Sequence, residues 1–251
     1  MKKRTSEKAD STPQATAELF VSAPLIALID GIFESKLTLG ELLEHGDLGI
    51  GTFNDLDGEM ILIDGEFFQV RGDGEVYRPS LETHTPFACA TFFHRETTDK
   101  EKGAFAWHQF EELLASSIPS DNMIYTLRID AHFSRIKVRS VPKQECPRPL
   151  VDIAREQPTF EYRNLSGSLV GFYNPHFISP INAPGFHLHF IDDSRKVGGH
   201  LLSCDVVDPV LRLQHVPSMR LGLPMSIDYL TANLENDADQ DIHEAETDRE
   251  A

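Results

Sequence analysis

The stretch Pro184-Gly185-Phe186-His187-Leu188-His189-Phe190-Ile191-Asp192-Asp193-Ser194-Arg195-Lys196-Val197-Gly198-Gly199-His200 decides how this chain is read. Phe186, Leu188 and Phe190 alternate with His187 and His189, the period-two signature of a strand with two unlike faces. Residues i and i+2 lie on one side of a strand, roughly 6.6 Å apart. The polar run Asp192-Asp193-Ser194-Arg195-Lys196 reads as the turn of a hairpin. A turn centred between Ser194 and Arg195 sets His200 directly across from His189, with Cβ atoms about 4.5–5.5 Å apart. Local geometry thus brings three imidazoles to one point. Three neutral histidines can hold a zinc ion and leave a fourth position open, as in catalytic sites. Imidazole also suits copper, iron and nickel. A His-x-His pair alone is more often two satisfied core histidines; the third histidine favours a metal.

Outward from this hairpin the chain is rich in strands. Asp57-Gly58 and Asp64-Gly65 are hairpin signals, with strands expected over Glu59–Ile63 and Phe67–Val70. Thr85 to Phe93 and the long alternating run Met123 to Val141 are further strands. More are expected near Phe160–Tyr162, Ser168–Tyr173, Val206–Leu213 and Met219–Leu223. Helical spacing predicts helices over Leu19–Phe33, His108–Ser116 and near Asp152–Glu156. Thr38-Leu39-Gly40-Glu41 is a capping box that opens a short one. The fold class is α+β: mostly β, a mixed sheet plus a β-rich C-terminal lobe carrying the metal site, with few helices. The expected divisions are a disordered leader (1–18), an N-terminal α+β lobe (19–145), a C-terminal metal-binding lobe (146–234) and an acidic tail (235–251). The second boundary is drawn at Pro142, Pro147 and Pro149. The tail holds eight acidic residues between Glu235 and Glu250, which read by composition as a solvated terminus.

The formal net charge of −17 disfavours nucleic acid and anionic membranes as partners. Cys89, Cys146 and Cys204 are an odd number with no Cys-x-x-Cys spacing, so neither a disulfide framework nor a zinc-thiolate site is expected. The polar leader lacks an apolar secretory core and no stretch reads as a membrane span, so the cytoplasm is the expected location.

Two further residues stand in tight local contexts. Glu59 follows a turn glycine and enters an apolar strand; a carboxylate there is usually exposed. Arg139 ends the long alternating strand, where an arginine is usually a surface ion pair. These priors change because the pieces together resemble one family. Leu48-Gly49-Ile50-Gly51-Thr52-Phe53 leading to Leu56-Asp57-Gly58-Glu59-Met60 is similar to the N-terminal signature of α-acetolactate decarboxylase. Arg139-Ser140-Val141-Pro142-Lys143-Gln144 resembles its middle motif. Gly171-Phe172-Tyr173, Pro184 to Phe190 and Gly198-Gly199-His200 resemble its metal-binding segment. The resemblance runs from about Leu19 to Glu246.

It implies a zinc enzyme, a homodimer, that converts (S)-2-acetolactate to (R)-acetoin and carbon dioxide. Its metal ligands fall on His187, His189 and His200, its catalytic glutamate and arginine on Glu59 and Arg139, and a pocket threonine on Thr52. A C-terminal glutamate that folds back to the metal falls on Glu246, with Glu244 competing for that place. Zinc on the ketone and hydroxyl oxygens would stabilise the enediolate left by decarboxylation and orient the substrate. A glutamate would then protonate carbon from one face. Zinc, one arginine and two glutamates sum to about +1, matched to a −1 substrate. Two rivals remain: a cupin-like metal-dependent oxygenase or isomerase using Asp193 as a carboxylate ligand, and a metal-stapled β-sheet domain that binds a partner.

Overall fold

The computed structural model describes residues 17–146 and 148–235. Its strands, in chain order, are β1 (Glu18–Val21), β2 (Leu48–Thr52), β3 (Glu59–Ile63), β4 (Glu66–Val70), β5 (Val76–Tyr77), β6 (Ala88–Thr91), β7 (Thr97–Lys100), β8 (Ala104–Phe105), β9 (Ile124–Arg139), β10 (Thr159–Asn174), β11 (Gly185–Asp192), β12 (Gly198–Val216) and β13 (Ser218–Leu221). The helices are α1 (Leu25–Ile29), α2 (Leu39–Leu42), α3 (Trp107–Ser117), α4 (Leu150–Ala154) and α5 (Ile227–Thr231). The molecule is mostly β, as expected for the α+β class.

The first sheet has the order β13-β1-β6-β2-β3-β4-β5. It is mixed, because β1 and β13 run parallel while its other neighbours are antiparallel. Asp64 and Gly65 form the two-residue turn between β3 and β4, with φ of 54° and 76°. Positive φ at both positions is the geometry that a tight hairpin needs and that Gly65 supplies without strain. Asp57-Gly58 does not form such a turn. It closes a six-residue connection from β2 to β3, residues 53–58, that contains a short 3-10 turn over Asn54–Leu56.

The second sheet bends back on itself. β11 pairs with β10 on one side and β12 on the other, and both of those pair with β9. The four strands form a closed ring. Its interior holds Leu127, Ile129, Phe133, Leu169, Leu188, Phe190 and Cys204, and Phe110 and Leu114 of α3 join that core. Beyond β11, the far half of the 19-residue β12 takes β8 and β7 as partners. A second core fills the space between ring and first sheet, with Ile50, Ile61, Phe68, Val170, Phe172 and Ile191. The outer face of the first sheet buries Met60 and Leu62 against Leu39 and Leu42 of α2.

Three further details differ from the sequence reading. Leu19–Val21 is a strand and only Leu25–Ile29 is helical; Pro24 resets the backbone between them, and Leu19 and Val21 are both fully buried. The two strands expected around Phe160 and Ser168 are one, because the polar Arg163-Asn164 interval continues through an Asn164 with φ of 55°. Both sheets take strands from either side of residue 145: β7, β8 and β9 belong to the second sheet, and β13 returns to the first. Most of the expected leader and the tail beyond Glu235 lie outside the described residues.

Phe190 sits fully buried in the ring, edge-on to Phe133 with centroids 5.0 Å apart. Phe190→Ala is expected to cost about 3–5 kcal/mol. Urea unfolding should show this as a lower midpoint at unchanged slope; a loss under about 1 kcal/mol would place the ring's main packing elsewhere.

Candidate metal centre and active site

The site lies where β11 faces the first sheet. Strand alternation sends Leu188 and Phe190 into the ring core, so His187 and His189 point the other way, with Ile191. The hairpin register is the one that the turn chemistry predicts: His189 is paired with His200. Asp192 fixes that register. Its carboxylate accepts the N–H groups of Ser194 (3.0 Å), Lys196 (2.7 Å) and Val197 (2.9 Å), and the Ser194 hydroxyl. Burial pulls the Asp192 pKa up, but the Ser194 hydroxyl and these N–H donors outweigh it and hold it below its ordinary value. Asp193, the ligand a cupin-like site would need, is exposed at the turn and is not part of the cluster.

One strand further on, His200 is paired with Arg139. His189, His200 and Arg139 are therefore successive cross-strand neighbours in one row. Gly199 permits the close approach of β12 to β9. Its φ is 141°, and a Cβ there would lie 2.5 Å from the Arg139 carbonyl oxygen. On the opposing sheet, Thr52 and Glu59 are also cross-strand partners. The Thr52 hydroxyl donates to the Gly58 carbonyl at 2.8 Å, bracing the backbone just before Glu59.

The three ring centroids are 5.0–5.3 Å apart. One nitrogen from each imidazole lies within 4.8 Å of the others, and all three residues are buried. His189 Nδ1 is 2.8 Å from the Met60 carbonyl oxygen, which can only accept. Nδ1 therefore carries the proton, and Nε2 presents its lone pair to the site. That Nε2 is buried without a hydrogen-bond partner, and Glu59 Oε2 is 3.5 Å away. Burial, with the nearby Arg139 charge, pushes the His187 pKa down to about 3. Burial, the neighbouring His187 and Arg139 push His189 well below its ordinary value, against the Met60 hydrogen bond. Both rings are thus neutral, the form that binds a metal. A buried lone pair aimed into a cluster of neutral imidazoles fits a metal ion.

Thr52, Glu59, Arg139 and the three histidines line one small cavity of about 50 Å³ that opens to solvent. Glu59 and Arg139 are 9% and 7% exposed, so neither takes the surface role that its position in sequence suggests. The cavity's remaining wall includes Leu25, Leu28, Leu56, Phe87, Val141, Leu150 and Gln157. Sequence reasoning missed these apolar residues and Gln157, since nothing local separates a cavity-lining leucine from a core one. Glu244 and Glu246 lie outside the described residues.

The alpha-acetolactate decarboxylase family model matches residues 19–236. The chain belongs to the alpha-acetolactate decarboxylase family. It is 40% identical over 230 residues to the alpha-acetolactate decarboxylase of Methylococcus capsulatus, covering 91% of this chain and 88% of that relative. It is 37% identical over 235 residues to that of Bacillus subtilis, covering 93% and 92%. The crystal structure of the alpha-acetolactate decarboxylase from Bacillus subtilis strain 168 superposes with a TM-score of 0.89 at 35% identity, covering 92% of this chain and all of that one. Membership in this family makes the chain a carboxy-lyase.

The depressed histidine pKa values have a consequence for the metal-free protein. Unfolding restores ordinary imidazoles, so below about pH 6.5 the unfolded chain binds protons that the folded chain does not. Stability is therefore lost as pH falls from about 6.5 towards the His187 value near 3. The thermal midpoint of the chelator-treated protein should drop over that window, and His187→Gln should flatten the drop. A midpoint independent of pH between 6.5 and 4 would contradict buried neutral imidazoles.

Proposed function

We propose that this chain decarboxylates (S)-2-acetolactate to (R)-acetoin, with zinc held by His187, His189 and His200. The observation that carries the reading is the convergence of Thr52, Glu59 and Arg139 with the histidine trio in a single cavity. The family supplies the reaction; the residues present supply means to perform it.

Bound zinc would act as a Lewis acid toward the negative charge that loss of carbon dioxide leaves on the substrate. Arg139 holds the substrate carboxylate by charge-assisted hydrogen bonds, in a site shielded enough for that pairing to orient it. Glu59, 3.5 Å from His189 Nε2, delivers a proton to the carbon that loses the carboxylate. Because it approaches from one wall of the cavity, one enantiomer results. Thr52, tied to the Gly58 carbonyl, positions Glu59 rather than reacting. The apolar wall formed by Leu25, Leu28, Phe87 and Val141 excludes water and accepts the substrate's methyl groups. Glu246 returns to the metal in this proposal, with Glu244 as the competing residue.

The finer properties follow the same resemblance. A homodimer would cover apolar surface, and Leu223, Met225, Ile227 and Leu230 are all more than half exposed. A cytoplasmic location agrees with three free cysteines. Among the described residues no helix is long and apolar enough to cross a membrane.

Purified protein given racemic acetolactate should release carbon dioxide and form chiral acetoin, and a chelator should stop both. His187→Ala should lose bound metal and turnover together; an active, metal-free variant overturns the ligand assignment. Glu59→Gln should keep the metal and lose about 10²–10⁴-fold in rate, and near-normal turnover would remove Glu59 from the chemistry. Truncation before Ile242 should lower activity if Glu246 acts at the site, whereas unchanged turnover restores the solvated-tail reading. Oxygen uptake without carbon dioxide release would favour the oxygenase alternative.

A further inference from the structure

Gln157 precedes β10 and has no place in the reading above. Arg139 is paired with Thr159 across β9 and β10. Continuing that register by two residues sets Gln157 across from Val141, and the Ser140 N–H donates to the Pro158 carbonyl at 3.3 Å between them. Directly opposed residues share a face, as do residues two apart. Gln157 therefore faces the same side as Arg139 and Val141, and all three line the cavity that holds the histidines.

The side chain ends in an atom with nothing to bind. Gln157 Oε1 is buried and has no hydrogen-bond partner. Buried acceptors are almost always satisfied, and one that is not costs the fold the full loss of its hydration. His189 Nε2 also lacks a hydrogen-bond partner and lines the same cavity, and there a bound cation would account for it. An uncharged acceptor calls instead for a hydrogen-bond donor from a ligand.

A 2-hydroxy-3-keto acid offers one such donor. Its carboxylate and ketone oxygens only accept, and Arg139 has the donors for them. The hydroxyl at carbon 2 is the substrate's sole O–H. We infer that Gln157 is a positioning residue whose side-chain oxygen accepts a hydrogen bond from that hydroxyl, so that the site selects 2-hydroxy-3-keto acids over 3-keto acids lacking the hydroxyl. The inference rests on the substrate reading above. The chemistry balances without any step at Gln157: no bond to it forms or breaks, and the hydroxyl leaves with the product.

The test compares two unreactive acids of nearly equal shape, 2-hydroxy-2-methylbutanoate and 2,2-dimethylbutanoate, which carries a methyl in place of the hydroxyl. Calorimetric titration measures their binding to the metal-loaded full chain, wild type and Gln157→Leu. The variant should weaken the hydroxy acid about tenfold or more and leave the dimethyl acid within about twofold. Its kcat/KM on acetolactate should fall about 10- to 100-fold, mostly through KM. Gln157→Glu retains an acceptor oxygen and should keep the preference for the hydroxy acid, although its charge weakens both. Metal content should match wild type, and the thermal midpoint of Gln157→Leu should be no lower than that of wild type. If Gln157→Leu does not fold, Gln157→Met carries the same comparison. Equal weakening of both acids, or no preference for the hydroxy acid in the wild type, overturns the inference. Wild-type inactivity on acetolactate sinks the substrate reading separately, since the binding comparison needs no turnover.

Discussion

The hydrogen bond between the His189 ring and the Met60 carbonyl joins the two halves of this site at the histidine cluster. Met60 belongs to a strand of the first sheet, and His189 to the ring formed by the second. The bond settles which nitrogen of His189 carries the proton and therefore which one faces the cavity. It also sets Glu59, the residue before Met60, against the histidine cluster. Met60 lies in a strand paired on both sides, so this bond is not needed to satisfy its carbonyl; what it does is align the two sheets at the point where the chemistry is assembled.

Around that bond, cross-strand pairing supplies the rest. The His189–His200–Arg139 row and the Thr52–Glu59 pair are each a matter of register, and a slip of one residue would turn every one of these side chains to the opposite face. Three devices guard against such a slip. The Asp192 carboxylate gathers the N–H groups of its turn. Gly199 lets β12 lie against β9 where a larger residue would strike the Arg139 carbonyl. The Ser140 hydroxyl donates to the Val70 carbonyl at 2.6 Å, tying the end of the Arg139 strand to the first sheet.

How legible this was depended on distance along the chain. The histidine hairpin was readable because its information is local: alternation gave the face and turn chemistry gave the register. The α3 helix and the capping box at Thr38 were readable for the same reason. Glu59 and Arg139 were not readable from their own surroundings, where a strand-start carboxylate and a strand-end arginine both suggest solvent; the family resemblance supplied them. Their burial comes from packing one sheet on another, which no short window of sequence encodes. The same holds for Leu19–Val21, whose helical spacing yields to pairing with β6 and β13, and for Gln157, whose neighbours across the strand lie some sixteen residues away.

The closed ring has a kinetic meaning as well as a structural one. Two of the three imidazoles ride on β11, which is paired with β10 along its length and with β12 over His189–Ile191. Peeling that strand away would break two ladders and wet the phenylalanine-rich interior behind it. Local fraying is therefore a poor exit for any ion held there, and exchange with solvent must run through the cavity mouth. Demetallation would then depend on how quickly a chelator can reach in, and would proceed without loss of the fold.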